Sequence, residues 1–217
     1  VDVRGKPLLH RLVGSFNDAG LRDLTVVTGY KSDAVHYPGI KTVENTEYEK
    51  TGEVASLARA STALNGECVI SYGDIMFRSH VLNQLLDCEA DISVVVDANW
   101  KEERTETTKR TMDLVQCSSP YSADYFDEAI PELTRIDSEL PGDAANGEWI
   151  GLAKFSEKGS KLLCEELEKM REEGLLEKAS MIDLFTRMIK AGLKPRVVYI
   201  TGHWLDVNDA FDLARAR

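Results

Sequence analysis

The chain has 217 residues, enough for one α/β domain with a sizeable hydrophobic core. Its net charge of −11 argues against a general nucleic-acid binder, because such proteins carry a basic face. No apolar run approaches the roughly 20 residues that a membrane-spanning helix needs, and no secretory signal is visible. The four cysteines lack C-x-x-C spacing, which favours the reduced thiols of a cytoplasmic protein over a zinc site or a disulfide framework.

Strands and helices alternate along the first third of the chain. Pro7 is well suited to begin a helix with an apolar stripe, and Gly20 is suited to end it. Short strands are predicted at 24–28 and 41–44, and a second helix is predicted from 54 to 64. This alternation indicates a mostly parallel sheet with helices on both faces.

The stretch from Val69 to Ile75 combines strand-forming residues with a Gly-Asp pair. It predicts a buried strand whose carboxyl end presents Asp74, which is where ligands of open α/β sheets bind. Gly73 has no Cβ, so a backbone or a ligand can approach closely there. The next predicted strand, 92–96, is almost wholly apolar and ends at Asp97.

The second half of the chain starts with a polar run, 100–110, which predicts an exposed loop or flap. Periodicity resumes after it. The elements predicted there are strands at 112–117, 148–155 and 197–201, a helix capped by Ser156 that runs to about 173, a helix from Ser180 to 191 and a final helix from Asn208.

A second carboxylate, Asp206, follows the last predicted strand. Asp74 and Asp206 are far apart in sequence, but each lies just past a strand, so both can converge on one divalent cation. Oxygen ligands of this kind suit Mg²⁺, which takes one or two protein carboxylates and completes its shell with water and phosphate.

Several of these stretches together resemble the nucleotidyltransferases that make NDP-activated metabolites. They are Gly5-Lys6-Pro7-Leu8-Leu9, Val26-Val27-Thr28-Gly29-Tyr30, Asn45 with Ser56-Leu57, Gly73-Asp74-Ile75 and Trp204-Leu205-Asp206-Val207-Asn208. The resemblance implies an α/β fold with three layers and a mixed, mostly parallel sheet, like that of the glycosyltransferase A group, and a single domain over 1–217.

Three stretches carry a narrower resemblance: 71–78, 148–151 and 201–208. They are similar to the cytidylyltransferase domains associated with or fused to phosphoenolpyruvate mutase, which attach CMP to small alkylphosphonates. The implied reaction is a Mg²⁺-dependent transfer of CMP from CTP to 2-aminoethylphosphonate or 2-hydroxyethylphosphonate, with release of pyrophosphate. A covalently fused mutase domain is the implied protein partner.

The resemblance also assigns roles to residues. Asp74 and Asp206 are the expected catalytic metal ligands. The residues expected at the nucleotide are Gly29, Tyr30, Asn45, Ser56 and Gly73, although capping and turn roles fit several of them equally well. The residues expected at the acceptor are Asp97, Trp100, Glu148, Asp183 and Tyr199, because an ammonium group favours a carboxylate beside an aromatic face.

One departure from the family pattern is large. The family opens with a strand, a Gly-rich loop of the L-A-A-G-x-G-x-R-L type and a Pro-Lys pair, and the sequence begins at Val1 without them. Lys6 matches a later position and does not replace the missing lysine. Either these parts precede Val1 in a longer polypeptide, or the fragment is inactive alone.

Three alternatives stay open. A phosphocholine or sugar 1-phosphate nucleotidyltransferase shares the fold, and a non-catalytic nucleotide-binding domain of a larger enzyme is a hypothesis of another class. A glycosyltransferase would show an Asp-x-Asp motif, whereas Asp74 is followed by Ile75-Met76.

Overall fold

The computed structural model describes residues 1–101, 111–124, 126–207 and 212–214. Five α-helices lie wholly within the described residues, with eleven, seven, eight, sixteen and ten residues: α1 (Leu8–Asp18), α2 (Glu53–Arg59), α3 (Ser79–Leu86), α4 (Glu157–Glu172) and α5 (Met181–Lys190). None of these described helices is long and apolar enough to cross a membrane. The same residues form the strands β1 (Asp2–Val3), β2 (Lys6–Pro7), β3 (Leu24–Thr28), β4 (Ile40–Glu44), β5 (Cys68–Ser71), β6 (Ile75–Phe77), β7 (Ile92–Asp97), β8 (Leu114–Cys117), β9 (Leu133–Ile136), β10 (Gly147–Phe155), β11 (Arg196–Ile200) and β12 (Trp204–Asp206).

The main sheet in the described part of the chain has six strands in the order β11-β7-β10-β8-β9, with β5 also paired to β10. Strands β5, β7, β8 and β11 point in one direction, and β9 and β10 point in the other. The expected mixed sheet with mostly parallel strand directions is therefore confirmed. Because β10 lies among strands of the opposite direction, it makes most of the hydrogen-bonded pairs antiparallel.

Helices cover both faces of this sheet, as expected for three layers. Val94 and Val96 face a core shared with α2, α4 and α5, whereas Val95 faces a core shared with α1 and α3. The alternation follows from the two-residue period of a strand, and it explains why β7 is apolar throughout.

Helix boundaries follow the predicted capping residues. The Ser156 hydroxyl accepts a hydrogen bond from the Gly159 N–H at 3.0 Å and begins α4. Ser180 and Asp183 form a reciprocal capping box at the start of α5. The helix predicted at 54–64 is shorter, since α2 ends at Arg59 and a separate 3₁₀ turn follows at Ser61–Ala63.

The loop that was predicted to be exposed is buried at its first residue. Trp100 is only 2% exposed and packs in a small apolar cluster, so it does not belong to an exposed loop. The remainder of the flap, 102–110, and the start of the helix predicted from Asn208 lie outside the described residues.

Gly151 allows β10 to pack closely over the end of β5. Its φ is +80°, and a Cβ there would lie 2.3 Å from Cδ2 of Tyr72. The register between β10 and β7 also shifts between Trp149 and Ala153. Glycine is required here by both backbone conformation and space.

We therefore expect Gly151→Ala to lower the free energy of unfolding by about 2–5 kcal/mol, combining left-handed strain of about 1–2 with overpacking of about 1–3. Gly20→Ala is the matched control, because its φ is +89° but a Cβ there meets nothing within 4 Å. Urea denaturation of both variants measures the difference. Equal losses would show that Tyr72 moves aside without cost.

Candidate active site

A pair of three-residue strands brings Asp74 and Asp206 together. Strands β6 and β12 are antiparallel, with Asp206 opposite Ile75 and Trp204 opposite Phe77. Immediately beyond the pair, the Val207 N–H donates to the Asp74 carbonyl at 3.0 Å. Two carboxylates from distant parts of the sequence therefore occupy adjoining positions.

The two carboxylates differ in exposure. Asp74 is exposed, whereas Asp206 is half-buried and its Oδ1 is inaccessible to solvent. Beside them Gly73 is exposed, and a Cβ there would meet nothing within 4 Å. The site is therefore open on the Asp74 side, with space for a ligand to approach the backbone.

This donor set suits a hard cation. Within the described residues, no group of three or more His, Cys, Asp or Glu side chains is arranged to hold a metal ion. Asp74 and Asp206 alone would leave most of a coordination shell to water and phosphate oxygens, which is how Mg²⁺ is usually bound. A structural zinc site would instead need four protein ligands, mostly cysteine and histidine.

Tyr72 links this site to the sheet. Its ring packs 5.3 Å from that of Trp149, and its hydroxyl donates a long, 3.5 Å hydrogen bond to Oδ2 of Asp113. Burial raises the pKa of Tyr72 well above its ordinary value, and the negative charges of Asp113, Glu53 and Asp74 raise it further. The hydroxyl therefore lies among several acids close to Asp74.

Sequence reasoning missed these neighbours. Tyr72 directly precedes the Gly-Asp pair, so its position could have identified it. Asp113 directly precedes β8 and Glu53 begins α2, and only the folded chain brings their charges near Tyr72.

Of the expected nucleotide residues besides Gly73, Gly29 and Tyr30 follow β3, Asn45 follows β4, and Ser56 lies in α2. Asn45 is fully buried, and its amide donates to Thr51 Oγ1 at 2.9 Å and to Ser56 Oγ at 3.0 Å. Its carbonyl oxygen accepts from the Glu47 N–H at 3.1 Å. These bonds of Asn45 and Ser56 fasten the loop after β4, and their expected contact with the nucleotide stays a prediction.

Gly29 and Tyr30 occupy the neighbouring loop. A Cβ on Gly29 would lie 2.6 Å from the Tyr48 ring, so this glycine is required for packing. Tyr30 is 70% exposed, and its ring lies 6.5 Å from that of Tyr48. The exposed face of Tyr30 leaves it accessible to a planar ligand.

Three of the expected acceptor residues have structural roles. Asp97 is fully buried, and both of its carboxylate oxygens accept hydrogen bonds from the protein. Asp183 belongs to the capping box of α5. Trp100 packs in the interior against four apolar residues: Met112, Leu114, Leu140 and Ala145. Their expected contact with the acceptor stays a prediction.

The other two lie near the carboxyl ends of the parallel strands. Glu148 is 2% exposed and pairs directly opposite Asp97 in the β10–β7 ladder. Tyr199 donates from its hydroxyl to the Ser119 carbonyl at 2.9 Å and lines a cavity of about 210 Å³. Neither Asp74 nor Asp206 lines that cavity.

Comparison with known proteins agrees with this fold. A profile of the MobA-like NTP transferase domain matches residues 1–178. A CTP:phosphoglutamine cytidylyltransferase of Campylobacter jejuni is 22% identical, over 98% of this chain and 88% of that protein. The inositol-1-phosphate CTP transferase from T. maritima has a TM-score of 0.74 at 15% identity, over 98% of this chain and 80% of that chain. The CTP:phosphocholine cytidylyltransferase from Streptococcus pneumoniae has a TM-score of 0.65 at 16% identity, over 99% and 86%.

The raised pKa of Tyr72 predicts a loss of stability at alkaline pH. The unfolded chain releases the phenolic proton near the ordinary pKa of 10.0, before the folded protein does. Stability contributed by the neutral phenol is thus complete below about pH 10 and decreases as the pH rises further. We expect the urea midpoint of Tyr72→Phe to decline less between pH 9 and 11 than that of the wild type. Below pH 9 the urea midpoints of the two proteins should differ by a constant amount. Parallel curves across the whole range would contradict the assignment.

Proposed function

Because the chain belongs to the MobA-like NTP transferase family, we propose that it is a Mg²⁺-dependent cytidylyltransferase that transfers CMP from CTP to a small alkylphosphonate. The observation that carries this proposal is the pairing of β6 with β12, which places Asp74 beside Asp206 at an open surface. This backbone pairing brings the two aspartates into adjoining positions, and a metal-assisted transfer of a nucleotidyl group would use both carboxylates.

The chemistry needs little from the protein besides position and charge. A phosphonate oxygen attacks the α-phosphorus of CTP, the bond to the bridging oxygen breaks, and pyrophosphate leaves. The nucleophile is already anionic, so no general base is required. Asp74 and Asp206 would hold Mg²⁺, which when bound neutralises charge on the reacting oxygens. The neighbouring backbone at Gly73 leaves room for the phosphates to approach.

The choice of CTP rests on the resemblance and on the relatives. The curated relative and two of the structural neighbours are named as enzymes that use CTP. We expect the intact protein to release pyrophosphate fastest with CTP when the four ribonucleoside triphosphates are compared at equal concentration. Equal or faster turnover with UTP or ATP would contradict this choice without affecting the metal site.

We expect Asp74→Ala and Asp206→Ala each to lower the rate of pyrophosphate release by at least about 10²-fold, since each removes an electrostatic element that acts at the reacting phosphate. Circular dichroism should be unchanged, because neither side chain belongs to an apolar cluster. Asp23→Ala is a matched control, an exposed aspartate that is paired with Lys41. A variant with near-normal turnover would remove that aspartate from the metal site.

For the acceptor, Glu148 is the buried acid that we propose faces an ammonium group. A buried carboxylate near the ends of β7 and β11 is a suitable partner for the amine of 2-aminoethylphosphonate, because an unpaired buried ammonium would be costly. A neutral hydroxyethyl chain makes no such demand. A fused phosphoenolpyruvate mutase domain would be the source of the carbon–phosphorus bond in either acceptor.

We expect Glu148→Gln to reduce the preference for aminoethylphosphonate over hydroxyethylphosphonate by roughly 10- to 100-fold, which corresponds to about 1.5–3 kcal/mol for a hydrogen bond to a charged group. Turnover of hydroxyethylphosphonate should change little. Asp183→Asn, which alters only the capping box, should leave the preference intact. If Glu148→Gln also preserves it, other residues form the acceptor pocket.

A phosphate monoester is the second candidate acceptor. The likeness to a CTP:phosphocholine cytidylyltransferase favours it. Phosphocholine, inositol 1-phosphate and a sugar 1-phosphate, assayed beside the two phosphonates, decide between the classes. Absence of pyrophosphate with every acceptor would favour the non-catalytic alternative.

A further inference from the structure

The turn that leads to Asp206 has an unusual backbone. Gly202 has a φ of +76° and His203 a φ of +68°, so two consecutive residues between β11 and β12 are left-handed. This conformation is readily available to glycine but unfavourable for histidine. The Arg78 N–H donates to the His203 carbonyl at 3.0 Å, which holds one side of the turn. Further contacts must hold the other side.

Asp97 provides those contacts. Its Oδ1 accepts from the Gly202 N–H at 2.9 Å and from the Asn99 N–H at 2.9 Å. Its Oδ2 accepts from the indole Nε1–H of Trp204 at 2.7 Å. The carboxylate thus bonds residues on both sides of His203. Because Asp97 is fully buried, its geometry is fixed by its surroundings.

Trp204 connects the turn held by Asp97 to the strand that carries Asp206. It is 7% exposed and packs in the core shared with α1 and α3. In β12 it lies two residues before Asp206, so the two side chains emerge on the same face of the strand. A shift of the indole would therefore move the strand that carries Asp206 relative to Asp74.

We propose that Asp97 is a positioning residue, which sets the metal-binding geometry of Asp206 through the Gly202–Trp204 turn. The inference rests on the proposed function, because it needs Asp206 to be a metal ligand. It assigns Asp97 a role in the reaction without contact with substrate. A carboxylate that served only stability would affect unfolding and leave the metal requirement unchanged.

The sharpest test is Asp97→Asn. With Oδ1 retained for the two backbone donors, the new amide nitrogen faces the Trp204 N–H, and two donors oppose each other. We expect the half-saturating Mg²⁺ concentration for turnover to rise about tenfold or more, as for other residues that orient metal ligands, with a smaller change in kcat at saturating Mg²⁺. Binding of Mn²⁺ to the protein with CTP, followed by electron paramagnetic resonance, should weaken in parallel.

The second test repeats Asp97→Asn in a protein that also carries Trp204→Phe. The phenylalanine lacks the indole N–H that opposes the new amide. Asp97→Asn should raise the Mg²⁺ requirement less in Trp204→Phe than in the wild type, because the donor clash is gone. Glu166→Gln is the stability control. Glu166 is a buried acid bonded to Arg187 between α4 and α5, and its loss should lower the melting temperature alone.

The outcomes separate the two proposals. If the wild type turns over and Asp97→Asn leaves its Mg²⁺ dependence unchanged, the positioning role alone is overturned. Additive effects of the two substitutions in the double variant would overturn it as well. A wild-type protein that binds Mn²⁺ but transfers no nucleotide overturns the proposed function, and the Mn²⁺ titrations still decide the positioning role. A wild-type protein that binds no Mn²⁺ overturns both. If Asp97→Asn does not fold, Trp204→Phe decides: an unchanged Mg²⁺ requirement counts against the proposal.

Discussion

Strand β10 is the constraint on which the described fold depends. All nine of its residues are buried, and it pairs with β5, β7 and β8. A strand with neighbours on both sides and helices over both faces can carry few polar side chains, and each one has to be satisfied. Because β10 is antiparallel to its neighbours, its first residues lie at the carboxyl ends of β5 and β7. This direction places Glu148 near Asp97 and packs Gly151 against Tyr72, next to the Gly-Asp pair.

Negative charge dominates the resulting edge. Asp74, Asp206 and Glu148 all lie there, and the charges of Asp113 and Glu53 also act on Tyr72. Such a concentration of acids repels a triphosphate unless cations offset it. The net charge of −11 shows that the whole chain does not supply that compensation. A divalent cation held by Asp74 and Asp206 would offset this charge in the proposed reaction.

Local signals in the sequence predicted the secondary structure well. The helix caps at Ser156 and Ser180 and the continuous apolar run of β7 each involve only a few neighbouring residues. They can therefore be recognised in the sequence without knowledge of the fold. The burial of single residues could not be predicted in the same way. Trp100 occurs in a polar run yet lies in the interior, because β8 and the 140–145 segment fold over it. Asn45 and Asp97 are polar residues at strand ends, and nothing in their sequence context separates a ligand contact from a structural clamp.

The carboxylate pair was predictable only in part. That Asp74 and Asp206 each follow a strand suggested that they meet at one edge, and the residues do lie together. The strands that join them, β6 and β12, were missed because three-residue strands have almost no periodic signal. An isolated pair of such strands has little stability in water. Its stability must come from elsewhere, and both strands supply it, since Trp204 of β12 and Ile75 of β6 pack in the core shared with α1 and α3. The geometry of the proposed metal site is thus determined by the hydrophobic core and by the carboxylate that holds the indole, so the site cannot be understood from its two ligands alone.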